Sequence, residues 1–168
     1  MRKAYLVLLL LLFGKFTLWS QDDMFKSLFI YNFTKNIEWP SEYKNGNFII
    51  TVVGNSGITA ELEKIAKIKK VGDQSIEIIK VNDITEVGKC NMLYVTPNKS
   101  SDLTELLTKC SGKPVVVIGD NPGLAKMGAG INFIKVDGKQ KFEINKNAME
   151  KNGLKINSYL LTLGEEVQ

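Results

Sequence analysis

Histidine is absent from this sequence of 168 residues, and only two cysteines are present. The lack of histidine excludes Ser-His-Asp and Cys-His catalysis and most zinc sites, because an imidazole serves as base or ligand in each of them. No other set of residues forms a recognisable catalytic constellation. We therefore do not expect an enzyme, and we expect neither a metal nor a cofactor.

The one long apolar run of the chain lies at its start. Residues 1–3 (MRK) are basic, and Ala4–Gly14 is almost wholly apolar. This order is typical of a secretory signal peptide, and the run is about half of the roughly 20 residues that span a bilayer. We predict a signal peptide over residues 1–20, cleaved after Ser20, with an uncleaved signal anchor as the alternative. Once processed, the protein is exported and is not an integral membrane protein.

An excess of charge of one sign is lacking once this segment is removed. Arg2, Lys3 and Lys15 lie within it, so residues 21–168 carry 19 basic and 18 acidic side chains, a net charge of +1. This balance provides no electrostatic footprint for nucleic acid, and no nucleic-acid partner is expected. Residues 21–168 have no internal repeat and no shift in composition, which indicates one domain of ordinary size.

Short apolar runs alternate with segments of helical periodicity through the middle of the chain. The apolar runs are Phe48–Val53, Ser75–Val81, Asn91–Val95 and Val115–Ile118. Helices are predicted between them at residues 58–68 and around residues 103–107. Apolar strands that alternate with helices of about ten residues predict a mostly parallel sheet covered on both faces. The predicted fold class is therefore α/β, with three layers.

The pattern changes near the carboxyl end to that of an antiparallel hairpin. Two alternating segments, residues 131–136 and 139–144, flank the pair Asp137-Gly138. This pair favours a tight hairpin turn, because both turn positions require positive φ.

The first helix of the domain is predicted to begin at Asp22 or Asp23 and to end near Ile37. Its apolar face is predicted from three-and-four spacing to carry Phe25, Leu28, Phe29 and Phe33. Ile30 and Tyr31 lie off that face and are therefore candidates for contact with a partner. Trp39, which follows the helix, is a further candidate, although a place in the core is its first interpretation.

The two cysteines lie at corresponding ends of one crossover. Cys90 precedes the third strand and Cys110 ends the following helix, and a right-handed crossover brings both to the same edge of the sheet. In an oxidising compartment this pair predicts a disulfide, worth very roughly 3 kcal/mol in the chain-entropy model. Two independent buried thiols are the alternative.

Polar and small residues follow the ends of three predicted strands. In α/β sheets the carboxyl ends of the strands form the edge that binds ligands. This edge is the predicted ligand site, and its residues are Gly54, Asn55, Ser56, Thr96 and Asp120. The segment Gly54-x-x-Gly57 also has the position of a phosphate-binding turn, but it lacks the full glycine pattern, so a plain tight turn is preferred.

Several segments together resemble the YfiR-like family of periplasmic proteins, in the order and spacing of that family. They span residues 22–164 and comprise Lys26–Lys35, Ile37–Pro40, Val52–Gly54, Cys90–Val95, Gly128–Phe133, Phe142–Asn145 and Gly153–Leu161. Ala129 departs from the pattern, because a second glycine is usual at that position.

The resemblance implies a Rossmann-like α/β fold and a periplasmic regulatory protein. Such a protein binds the periplasmic domain of a membrane signalling protein, a diguanylate cyclase or a sensor kinase, and represses it. Redox control through disulfides is also implied, and a homo-oligomer is compatible with the sequence. The alternative function, from the residues at the strand ends, is a periplasmic small-molecule binding protein that uses the carboxyl edge of the sheet.

Overall fold

A computed structural model describes the backbone of residues 16–167 and the side chains of residues 21–167. Residues 1–15 of the predicted signal peptide lie outside this range, so the signal peptide remains a prediction. The described chain is of the mixed α/β class, as the sequence predicts. Its larger sheet has eight strands and is mainly parallel.

The helices and strands succeed one another along the chain with short connections. Their bounds are α1 Phe16–Asn36, β1 Ile37–Glu38, β2 Phe48–Val53, α2 Ile58–Ile68, β3 Lys70–Val71, β4 Gln74–Val81, β5 Met92–Val95, α3 Leu103–Cys110, β6 Val116–Gly119, β7 Ile131–Val136, β8 Lys139–Ile144, α4 Lys146–Lys151, β9 Lys155–Ile156, α5 Ser158–Leu163 and β10 Glu165–Glu166. A 3-10 segment, Pro97–Asp102, connects β5 to α3.

The strand order of the large sheet is β10-β8-β7-β6-β5-β2-β4-β3. Strands β4, β2, β5, β6 and β7 run parallel, and β3 adds a short antiparallel pair at the β4 edge. Strands β7 and β8 form an antiparallel hairpin whose turn residues, Asp137 and Gly138, have φ values of 51° and 73°. The hairpin does not end the sheet, because β10 pairs in parallel with β8.

Apolar side chains are buried on both faces of the large sheet. Along β5, Met92 and Tyr94 join one core cluster, whereas Leu93 and Val95 join the other, as the two-residue period of a strand requires. The first cluster contains side chains from α1, α2, α4 and α5, and the second contains side chains from α3. Helices therefore cover both faces, as expected for a parallel sheet.

Helix α1 begins before Asp22, so the predicted start of this helix is wrong. Its described part begins at Phe16, so Asp22 and Asp23 lie inside the helix and neither caps it. Their carboxylates make tertiary contacts instead. Asp22 pairs with Lys135 of β7, and Asp23 lies against Gly57, immediately before α2.

The buried face of α1 also differs from the prediction. The buried positions include Ser27, Ile30, Phe33 and Thr34, whereas Leu28, predicted to be in the core, is 45% exposed. Burial of the Ser27 and Thr34 hydroxyls is tolerated because each donates a 2.7 Å hydrogen bond to a backbone carbonyl of its own helix. Because the buried side contains polar residues and the exposed side contains apolar ones, the apolar face predicted from the sequence differs from the face that is buried.

Phe33 and Leu28 allow a direct test of this helix orientation. The Phe33 ring packs on Phe133 and Phe142 at centroid distances of 6.0 and 5.0 Å. We expect Phe33→Ala to lower the free energy of unfolding by about 3–5 kcal/mol, because it leaves a cavity. Leu28→Ala is the matched control and should lower it by less than about 1 kcal/mol. Urea denaturation measures both values, and equal losses would contradict the orientation.

Candidate functional site

The predicted ligand edge between β2 and β5 is filled by the protein's own side chains. Gly54 and Thr96 do meet there, but a Cβ on Gly54 would lie 2.2 Å from Thr96 Oγ1 and 2.7 Å from Cγ of Lys99. Thr96 is fully buried, and its hydroxyl donates to the Val53 carbonyl at 2.7 Å. Glycine is required at position 54 because of this close approach and its φ of 98°.

Asn55 and Ser56 take part in the turn that follows β2. Asn55 Oδ1 accepts a hydrogen bond from Lys80 Nζ at 2.9 Å, and Ser56 Oγ accepts one from the Ile58 amide at 3.3 Å. Ser56 therefore stabilises the entry into α2, and Asn55 connects the turn to β4. These contacts agree with the interpretation of this segment as a tight turn.

Asp120, at the end of β6, lies in a buried ion pair with α1. Its Oδ2 is 2.6 Å from Lys26 Nζ, and the Tyr94 hydroxyl donates to the same oxygen at 2.5 Å. The side chains of Lys26 and Asp120 are only 12% and 9% exposed. A charge-assisted contact with so little solvent around it positions α1 over the carboxyl ends of β5 and β6.

Burial determines the protonation of the groups around this ion pair. The pKa of Tyr94 is raised far above its usual range by burial and then by the Asp120 carboxylate, so the hydroxyl stays protonated and donates. Burial also raises the pKa of Asp23, although the Lys26 charge opposes the shift. Asp23 Oδ2 would be 2.5 Å from a Cβ at position 57, so glycine there allows the carboxylate to approach α2.

A cleft of about 500 Å³ opens beside this ion pair, on the β6 and β7 side of the filled edge. The residues lining it come mainly from α1, the β6–β7 connection and the hairpin, and they include Asp22, Asp23, Lys26, Asp120, Asn121, Phe133 and Lys135. Of the five residues predicted to bind a ligand, only Asp120 lines this cleft.

Two of the three predicted partner-binding residues are in the core. Ile30 is fully buried and Trp39 is 5% exposed, so neither can contact a partner in this conformation. Trp39 packs edge-on against Phe48 at a centroid distance of 4.9 Å. Tyr31 is half-buried, and its hydroxyl approaches the Lys70 carbonyl at 3.4 Å.

The exposed side of α1 carries three large apolar residues. Two of them, Phe25 and Leu28, were predicted to lie on the buried face, and Met24 was given no role. Met24, Phe25 and Leu28 are 42%, 42% and 45% exposed, and their three- and four-residue spacings make them neighbours on the helix. We call these three residues the apolar row. The signal for it was present in the sequence, because α1 has apolar residues around more of its circumference than one buried face needs.

Cys90 and Cys110 lie close together on the α3 face of the sheet. They are 2% and 3% exposed, belong to the same core cluster and line one small pocket. Both are free thiols in this structure. Burial, followed by the proximity of Cys110, raises the pKa of Cys90 to about 12. The predicted juxtaposition is present, and the disulfide itself remains a prediction.

Comparison with known proteins assigns the family. The model of DUF4154, described as YfiR/HmsC-like, matches residues 23–165. This chain belongs to the YfiR/HmsC-like family. The family is regulatory and periplasmic, and membership suggests a role in diguanylate cyclase signalling. No curated protein sequence matches the chain.

The match includes the apolar row, both cysteines and every residue that lines the cleft except Asp22, and it ends within β10. Among the residues that the structure describes, no helix has the length and apolar character needed to cross a membrane.

The cysteine pair has a direct chemical test. We expect the protein recovered from the periplasm, unfolded without reductant, to resist labelling at both cysteines, because Cys90 and Cys110 are joined. Reduction before unfolding is the control and should make both thiols reactive. Mass spectrometry counts the labels, and two labels on unreduced protein would show that the disulfide is absent.

Proposed function

We propose that this protein is exported, binds the periplasmic domain of a membrane signalling protein and represses it. The signalling protein is a diguanylate cyclase or a sensor kinase. The observation that carries the proposal is the family match over residues 23–165, since that family is regulatory. The signal peptide predicted at residues 1–20 provides the route to the compartment in which such a partner exposes its domain.

The apolar row is the surface that fits this function best. Met24, Phe25 and Leu28 lie on the outer side of α1, and Tyr159 and Leu163 of the contacting helix α5 are 59% and 50% exposed. Exposed apolar patches on soluble domains commonly mark protein interaction sites. Contacts among residues 21–167 leave about half of these side chains in water, and removing that part from water on binding provides a favourable free energy.

The proposal is tested in cells by measuring cyclic di-GMP. Deletion of the gene should raise the cyclic di-GMP level, because the cyclase is no longer repressed. Expression of the full chain should return the level to its original value. The variant Phe25→Glu/Leu28→Glu should fail to restore it, since two charges would have to enter the interface. A chain lacking residues 1–20 should fail as well, because it is not exported.

The matched control places charges on other exposed apolar residues. Ile68 is 76% exposed and Met127 is 56% exposed, so Ile68→Glu/Met127→Glu should restore the cyclic di-GMP level fully. Thermal unfolding and protein abundance should be equal for both double variants. An unchanged cyclic di-GMP level on deletion would argue against a cyclase partner, and equal behaviour of the two variants would argue against the apolar row.

A small-molecule binding function is the second candidate, and the cleft beside Asp120 favours it. The volume of about 500 Å³ is within the range of ordinary ligand sites, and Phe133 contributes an apolar surface among charged groups. Native mass spectrometry of the periplasmic protein should then detect a bound molecule of uniform mass. Lys135→Glu, which reverses a charge at the cleft, should release it, whereas Lys155→Glu should not. Absence of any adduct would count against this function.

A further inference from the structure

The pocket that contains the two cysteines is rich in positive charge. It has a volume of about 370 Å³ and lies between the residues that precede β5 and the end of α3. Its lining includes both thiols together with Lys89, Lys109 and Lys113. No carboxylate is among its described lining residues.

The partners of the three ammonium groups among the described side chains are all neutral. Lys109 Nζ donates to the Ile84 carbonyl at 2.7 Å, and Lys113 Nζ donates to the Lys109 carbonyl at 2.9 Å. Lys89 Nζ lies 4.9 Å from the centroid of the Tyr43 ring. None of the three takes part in an ion pair within residues 21–167.

The nearby carboxylate of Asp83 does not neutralise the charge of the three lysines. Hydrogen bonds from the hydroxyl and the amide of Thr85 lower the pKa of Asp83, and the charges of Lys99 and Lys109 lower it further. Asp83 nevertheless lies outside the pocket lining. Like charges that surround a concave, partly apolar surface concentrate anions there. The pocket therefore favours a small ligand with carboxylates or another negative charge.

The two thiols differ in their surroundings. Burial raises the pKa of Cys110, but the neighbouring Lys113 and Lys109 charges oppose that shift. Burial raises the pKa of Cys90 as well, the proximity of Cys110 raises it further, and the Lys113 charge opposes that shift too. Lys109 and Lys113 flank Cys110 in the chain, line the pocket with it, and hold their ammonium groups near it, because Lys113 Nζ donates to the Lys109 carbonyl. Because the thiolate is the nucleophile in disulfide exchange, this position assigns Cys110 as the attacking group and Cys90 as the resolving group.

We propose that this pocket binds a small anionic disulfide, RSSR, and that Cys110 and Cys90 reduce it in two exchange steps. In the first step the Cys110 thiolate attacks one sulfur of RSSR, which forms a Cys110–SR mixed disulfide and releases RS⁻. In the second step the Cys90 thiolate attacks Cys110 Sγ, which forms the Cys90–Cys110 bond and releases the second RS⁻. Two protons leave the protein thiols, and two RSH form.

The charge preference is tested with three disulfides on the reduced full-length protein. Oxidised glutathione is anionic, 2-hydroxyethyl disulfide is neutral and cystamine is cationic. Each rate is divided by the rate of the same disulfide with a small free thiol, which removes intrinsic reactivity. We expect oxidised glutathione to react about tenfold or more faster than cystamine at low salt, and this ratio should fall strongly at about 1 M salt.

Variants separate the pocket charges from the chemistry. Lys113→Gln and Lys89→Gln should each lower the normalised preference for oxidised glutathione, whereas Lys146→Gln, on α4 outside the pocket, should leave it unchanged. Cys90→Ser should stop the reaction at a mixed disulfide on Cys110, and Cys110→Ser should abolish the reaction. Peptide mapping by mass spectrometry locates the adduct.

Several results would overturn this proposal. Equal normalised rates for the three disulfides would mean that the lysines attract no anion. An adduct on Cys90 in the Cys110→Ser variant would reverse the order of attack, and reaction only in the unfolded protein would mean that the pocket admits no disulfide. None of these measurements depends on a signalling partner, so their outcome is independent of the proposed regulatory function.

Discussion

The contact of helix α1 with the sheet is the constraint on which the rest of the site depends. Phe33 packs against Phe133 and Phe142, and the buried pair between Lys26 and Asp120 connects the helix to the end of β6. An ion pair with such low exposure is strongly orienting, because either charge without its partner would be left in a poorly solvated place. This contact determines which side of α1 faces solvent.

The two sides of α1 contribute to different surfaces as a result. The inner flank lines the cleft with Asp22, Asp23 and Lys26, and the outer flank carries the apolar row. A change in the position of this one helix would therefore alter both surfaces together. The cysteine pocket is separate from them, because it lies on the α3 face of the sheet.

Much of the fold was predictable from local patterns. Buried β-branched runs such as Phe48–Val53 and the Asp137-Gly138 turn depend on near neighbours in the chain, so their strands were predicted within one or two residues. The candidate site was less predictable. The edge beside Gly54 is filled by the distant Thr96 and Lys99, and Ile30 is buried where an exposed residue was expected.

Local sequence patterns were sufficient to assign the α/β class, the pairing of the hairpin and the family, because these follow from periodicity, turn chemistry and ordered motifs. The packing of distant segments established which side of α1 is buried, which strand ends remain open and which lysines surround the thiols. Those outcomes depend on contacts between residues far apart in the chain, such as Lys26 and Asp120, whose partners no local pattern specifies. For that reason the motifs identified the family, and the folded chain identified the surfaces.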